Sequence, residues 1–140
     1  MEELLAYAYL IGEGYSLESF YESKLNELFI ANPNNSDLLE LEFLSDNIME
    51  SIIYIKTHIN YTKMNKQAFG KQLMTLLKPI YASTELEDFG CRMFTLWESL
   101  AGNLQDEKPF STLSCTDNRL FCENKNEVKK AFEKMLSFYD

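Results

Sequence analysis

No lysine or arginine occurs between residues 25 and 55, and the first 60 residues hold only Lys24 and Lys56 against 11 carboxylates. Residues 61–140 carry 11 acids against 11 bases, so the whole net charge of -9 resides in the first 60 residues. Such a field repels phosphate backbones and anionic membrane surfaces and attracts basic proteins. Other scarcities narrow the chemistry. The three cysteines, Cys91, Cys115 and Cys122, are odd in number and form no C-x-x-C pair, which argues against a disulfide framework and a zinc site and suits a reducing cytoplasm. No apolar run approaches the ~20 residues of a membrane span. The amino end, MEELLAYAYLIGEG, has acids where a secretory signal needs positive charge. There is no Gly-rich phosphate loop, no G-x-S-x-G and no H-E-x-x-H, and nothing argues for catalysis or a cofactor.

What is present is apolar and periodic. At 46% apolar and 14% aromatic residues, a chain of 140 can bury the core of one compact domain. Helical spacing recurs almost throughout, with no sustained strand alternation. The first helix is expected over about Glu2–Ile11, ended by Gly12 and Gly14. The second follows Ser16, buries Leu17, Phe20, Tyr21, Leu25, Leu28 and Phe29, and stops at NPNNS. A third is expected from about Ser36 to His58. The stretch NKQAFGKQLMTLLKPIY gives a fourth, with Pro79 kinking or closing its last turn. Thr84-x-x-Glu87 reads as the capping box of a fifth, continued by the stripe Leu86, Phe89, Met93, Leu96, Trp97 and Leu100. After about twenty irregular residues, Val128, Ala131, Phe132, Met135 and Leu136 mark a last helix. The expected fold is all-α: a single-domain bundle of five or six helices over residues 1–140, with one long irregular segment before the last helix.

On a wheel at ~100° per residue, the third helix places Leu41, Leu44, Ile48, Ile52, Ile55 and Ile59 on one face. Glu42, Asp46 and Glu50 fall opposite, at successive i, i+4 spacings. Like charges so placed cost an isolated helix roughly 0.2–0.5 kcal/mol per pair, and no local base relieves them. The plain alternative is a solvated face relieved by a base from another helix. Met49, Phe43 and Tyr54 flank the acids, however, and Leu39 and Ile53 share their sector. Unless other helices cover them, these residues form apolar anchors within a negative field, a composition suited to a basic protein partner. Three acids in a row do not converge on a metal, and the Glu-x-x-His pattern of helical di-metal sites is missing.

Three further positions have plain readings. His58, the sole histidine, suits a surface or capping role near a helix end. Cys91 is expected as a small buried hydrophobe and Trp97 as core packing. The segment from Lys108 to Glu123 exceeds the length of ordinary structureless connections. Its Pro109, Phe110, Leu113, Leu120 and Phe121 suggest a strap over the core, with a partner-binding loop as the alternative.

GCRMFTLWESLAGNLQDEKPFSTLS, from Gly90 to Ser114, together with LLELEFL, from Leu38 to Leu44, resembles small acidic immunity proteins of bacterial contact-dependent growth inhibition and related polymorphic toxin systems. The shared texture is a leucine- and acid-rich helix and an aromatic helix running into a Pro-Phe segment. The resemblance implies a cytoplasmic protein that neutralises one cognate toxin domain, commonly a basic nuclease, by direct binding. It implies no enzyme activity and carries over no family binding site. The charge map and the wheel nominate Glu42, Phe43, Asp46, Glu50 and Tyr54 as partner contacts, made by a chain that is monomeric before binding. Two other readings stay open. One is a ligand-binding or enzymatic module with a pocket from Tyr7, Tyr9, His58 and Cys91; the other is a scaffold that homodimerises through the apolar flanks of the third helix.

Overall fold

From Leu4 to Ile11 the only polar side-chain atoms are the hydroxyls of Tyr7 and Tyr9. A helix with this composition is apolar all round and must be enclosed. Helix α1, Glu2–Gly12, meets that requirement, with every residue from Leu4 to Ile11 buried. Gly14 ends it at φ 98°, a conformation that L side chains rarely adopt. Its N–H donates to Ile11 O (3.0 Å) and that of Tyr15 to Leu10 O (3.1 Å), the paired bonds of a Schellman turn. Gly12 stays helical, so Gly14 alone is the stop.

The structure is a computed structural model that describes residues 1–115 and 124–140. The chain gathers into two compact units, Met1–Asn65 and Lys66–Asp140. The described residues form eight α-helices and one 3-10 turn, with no strand among them. The all-α class is therefore as the periodicity indicates, with more helices than the five or six expected.

In the first unit, α1 packs against α2, Glu18–Ala31, and α4, Ile48–His58, while α2 also packs on α3, Ser36–Phe43. Helix α2 buries Tyr21 and Leu25, which share a face at i, i+4. The wider buried set expected for it is not realised: Leu17, Leu28 and Phe29 are half-buried and Phe20 is exposed, one residue off the Tyr21–Leu25 line. The Tyr7 and Tyr21 rings meet edge to face at 6.3 Å, and Lys24 Nζ reaches Glu3 Oε2 at 2.8 Å.

The expected third helix is two helices. Ser45, Asp46 and Asn47 form a turn, and Asn47 is the N-cap of α4, its Oδ1 accepting from Glu50 N–H at 3.1 Å. Asn47 and Glu50 stand three apart, the spacing of a helix start, and that local signal outweighs the continuous apolar face. The buried Ser51 hydroxyl sits within hydrogen-bond distance of both Leu44 O (3.0 Å) and Asn47 O (3.1 Å), securing the turn from inside. Tyr54 donates to Asp37 Oδ1 at 2.8 Å. A straight helix would hold those residues about 25 Å apart along its axis, so α3 and α4 must fold back toward one another.

The second unit comprises α5, Lys66–Ser83; α6, Leu86–Ser99; α7, Gly102–Gln105; a 3-10 turn, Phe110–Ser114; and α8, Lys125–Leu136. Its core is a run of aromatic contacts: Tyr81 on Phe89 (5.1 Å), Phe89 on Phe132 (5.0 Å) and Phe69 on Phe110 (5.3 Å). Helix α5 continues past Pro79 to Ser83. The expected capping box is not formed. Thr84 instead donates back to Ile80 O at 2.6 Å, closing α5, and Glu85 occupies the N-cap of α6 without a side-chain cap. Cys91 is exposed rather than buried, because it lies off the Phe89–Met93–Leu96 face of α6. Trp97 is half-buried and trades hydrogen bonds with Gln105, Nε1–H to Gln105 O (3.1 Å) and Gln105 Nε2–H to Trp97 O (3.0 Å). Part of the expected irregular segment is thus helical, and Pro109, Phe110 and Leu113 pack down as a strap should. Leu120, Phe121 and Cys122 lie outside the described residues.

Candidate functional site

The break at Asn47 rearranges the acids that a single wheel had aligned. Glu42 sits in the last turn of α3, Asp46 in the turn, and Glu50 in the first turn of α4. For Glu50 the position is favourable locally, since a helix N-terminus attracts negative charge. Glu42 is half-buried, and Asp46 and Glu50 are exposed. Among the described residues no lysine or arginine comes within ion-pair distance of any of the three. The bases nearest in sequence are engaged elsewhere. Lys24 holds Glu3 and Glu27, and Lys56 lies 4.6 Å above the Tyr9 ring, where burial depresses its pKa.

The apolar neighbours of these acids remain largely uncovered. Phe43 is 76% exposed, Met49 60%, Ile53 58% and Leu39 43%. Phe20 and Ile30 on α2 are also exposed, which periodicity alone did not show. Tyr54 has a different place from the other four nominated contacts. Its ring is stacked on His58 at 3.8 Å, and its hydroxyl is committed to Asp37. Desolvation, that hydrogen bond, and the Asp37 and Glu40 charges push the Tyr54 hydroxyl up to about 12. Tyr54 therefore acts as a neutral donor that ties α4 to α3. The His58 ring is held against it by Nδ1, 2.9 Å from Tyr54 O.

Glu42 and Asp46 also line a cavity of about 290 Å³, together with Ser45 and with Glu22, Leu25 and Asn26 of α2. Glu42 Oε1 itself is buried and without a hydrogen-bond partner. The α2 residues escaped sequence reasoning because only the packing of α2 on α3 brings them to the turn. Their one local signal is the i, i+4 spacing of Glu22 and Asn26. A second cavity, of about 470 Å³, lies in the second unit beside Lys66, Glu107, Phe110 and Tyr139. Among its charges, Lys66 is paired to Glu107 and Asp140 to Lys78 outside the lining, while Lys108 also lines it.

The residues of the alternative pocket do not line either cavity. Tyr7 and Tyr9 are buried in α1, His58 is exposed at the end of α4, and Cys91 belongs to the second unit. Among the described residues no three His, Cys, Asp or Glu side chains are grouped to hold a metal ion, and no helix is long and apolar enough to cross a membrane. Comparisons with protein-family models, with curated proteins and with solved structures returned no match.

Proposed function

We propose that this chain is an immunity-type inhibitor, which binds a basic toxin domain of the nuclease kind through the α3–α4 elbow and does no chemistry itself. The observation that carries the reading is the pairing of exposed Phe43, Met49 and Ile53 with the uncompensated carboxylates Glu42, Asp46 and Glu50. The first unit holds 11 acids against Lys24, Lys56 and Lys63, so it carries a net charge of -8. Such a field steers a basic protein toward the elbow, and desolvated apolar anchors then set how long it stays. Nucleic acid and anionic lipid are poor occupants of the same surface, because both are repelled. The resemblance of Gly90–Ser114 and Leu38–Leu44 to immunity proteins supports the choice of a toxin as the partner.

The test is co-expression with the variable carboxy-terminal domain of a large secreted protein encoded next to this chain. The expected result is restored growth and a one-to-one complex. Asp46→Lys with Glu50→Gln should slow association by about tenfold at low salt and flatten its ionic-strength dependence. Glu50→Lys is the poorer probe, because a cation at the α4 N-terminus would itself cost about 0.3–1 kcal/mol of stability. Absence of a complex, or association kinetics that ignore both substitutions, would overturn the assignment.

A further inference from the structure

Helix phase decides which apolar side chains of the elbow face outward. In α3, buried Leu38 and Leu41 mark the inner side, and at about 100° per residue Leu39 and Phe43 fall away from it, one turn apart. In α4, buried Ser51, Ile52 and Ile55 mark the inner side, and Met49 and Ile53 fall away from it, again one turn apart. All four are exposed. Each helix of the fold-back therefore carries an i, i+4 apolar ridge that the core does not use.

A polar seam separates the ridges. The Tyr54 hydroxyl crosses from α4 to Asp37 of α3, so the flanks that carry these two residues face one another. Glu40 follows Asp37 by three residues, on the same flank, and its charge acts on the Tyr54 hydroxyl. On the wheel of α4, Glu50 falls between Ile53 and Tyr54. Asp37 is committed to Tyr54, whereas Glu40 and Glu50 are exposed, with no lysine or arginine within ion-pair distance among the described residues. Glu40 stands beyond the first turn of α3, so the helix dipole does not account for it.

A surface of this form selects among ways of binding. No strand occurs among the described residues, so there is no sheet edge to which a partner could add one. Helices that meet through side chains lie about 10 Å apart, which is also the diameter of a helix with its side chains, so a third helix can rest along the seam. Such a helix lays apolar residues at i, i+4 and i+7 on the ridges and brings lysine or arginine to Glu40 and Glu50. A second copy of the first unit, itself at net charge -8, would set those carboxylates against its own, and an uncharged helix would bury them unpaired.

We infer that the outer surface of α3 and α4 is a seat for a basic amphipathic helix of the partner, held by Leu39, Phe43 and Ile53 and oriented by Glu40 and Glu50. The inference rests on the reading of the chain as a binder of a basic protein, and it names the element that is recognised.

The test uses the full chain, labelled with nitrogen-15, and a lactam-bridged helical peptide of about five turns with leucines along one face and lysines and arginines beside them. One control peptide has the same composition with the leucines scattered around the helix, and another carries glutamate at every basic position. The amphipathic basic peptide should give saturable amide shifts confined to α3 and α4, the scattered peptide should bind about tenfold more weakly or worse, and the acidic one should do nothing. Leu39→Ser with Ile53→Ser, at exposed positions, should weaken binding by about tenfold or more, and Glu40→Gln should reduce its salt dependence. Equal binding of the scattered peptide, shifts spread over all acids of the first unit, indifference to these substitutions, or a dimer by light scattering that the serine pair dissolves would each overturn the inference. The two ideas fail separately. A saturable helix seat on a chain that binds no toxin sinks the immunity reading alone. A toxin complex that Asp46→Lys weakens, but Leu39→Ser and Glu40→Gln do not, sinks the helix seat alone.

Discussion

Asn47→Ala separates the elbow from the continuous helix that the apolar spacing suggests, because the two arrangements require opposite signs. In the elbow, Asn47 Oδ1 accepts from Glu50 N–H at 3.1 Å, and alanine leaves that donor to water. Loss of an N-cap of this kind costs about 1 kcal/mol. The Ser51 hydroxyl still holds Leu44 O and Asn47 O, so the loss should stay local and the fold should survive. Inside an unbroken helix, the same substitution would replace a poor helix former with the best one and gain about half a kcal/mol. The assay is thermal and urea unfolding followed by circular dichroism. A loss of about 1 kcal/mol lowers Tm by about 3 °C if the whole chain melts as one, and by about 7 °C if the first unit melts by itself. Asn47→Asp, which keeps a capping oxygen, should stay within a few tenths of a kcal/mol of the parent. A neutral or stabilising Asn47→Ala would refute the elbow.

Two other perturbations test the packing that surrounds the site and the second unit. A Cβ at Gly70 would collide with the Tyr139 hydroxyl, an overpacking cost of about 1 kcal/mol, at the low end because the obstructing ring can swing aside; it should cancel the roughly 1 kcal/mol that alanine gains over glycine inside α5 and leave Gly70→Ala no more stable than the parent. Tyr139→Ala should erase most of that overpacking cost in a double-mutant cycle, and strict additivity would show that the close approach is not what Gly70 serves. The Tyr54 hydroxyl, raised to about 12 by burial and by its bond to Asp37, favours the folded state while it is neutral. Its contribution is complete below about pH 10, the ordinary tyrosine value, and disappears as pH climbs to about 12. Urea unfolding at successive pH values should show that decline, shallower in Tyr54→Phe; identical slopes would remove Tyr54 as a cause.

The sequence made elements legible wherever one local rule acted alone. Leu4 to Ile11 could only be an enclosed helix, NPNNS only a turn, and Val128, Phe132, Met135 and Leu136 only one face of a helix, all as found. Misreadings arose where two rules competed over the same residues. Leu41, Ile52 and Ile55 are indeed buried, so the apolar face of residues 36–58 was real, but the capping signal at Asn47 cuts it in two. Thr84 and Glu87 have capping spacing, yet Thr84 satisfies a carbonyl of α5 rather than an amide of α6. Cys91 shows the limit of residue type as a guide, because helix phase against Phe89 and Met93 decided its exposure. Of the nominated residues, Phe43, Asp46 and Glu50 are exposed, as their positions alone suggest. The engagement of Tyr54 with Asp37, 17 residues away, depends on the fold-back.

Two costs meet at the elbow, and neither is one that folding requires. Phe43 at 76% exposure and Met49 at 60% contribute little to the core, and hydrophobic surface left in water gains nothing from the hydrophobic effect. Glu42, Asp46 and Glu22 repel one another across a concave surface without a cation among the described residues to relieve them. Either cost alone has a commonplace account: single exposed apolar residues are normal on any surface, and acids keep a protein soluble. Their coincidence is more restrictive. A purely apolar partner would relieve Phe43 and Met49 but bury the carboxylates unpaired, whereas a small cation would relieve the carboxylates and leave the apolar side chains wet. A partner with positive charge and apolar surface side by side would offset both at once, which is what the proposed basic domain would bring.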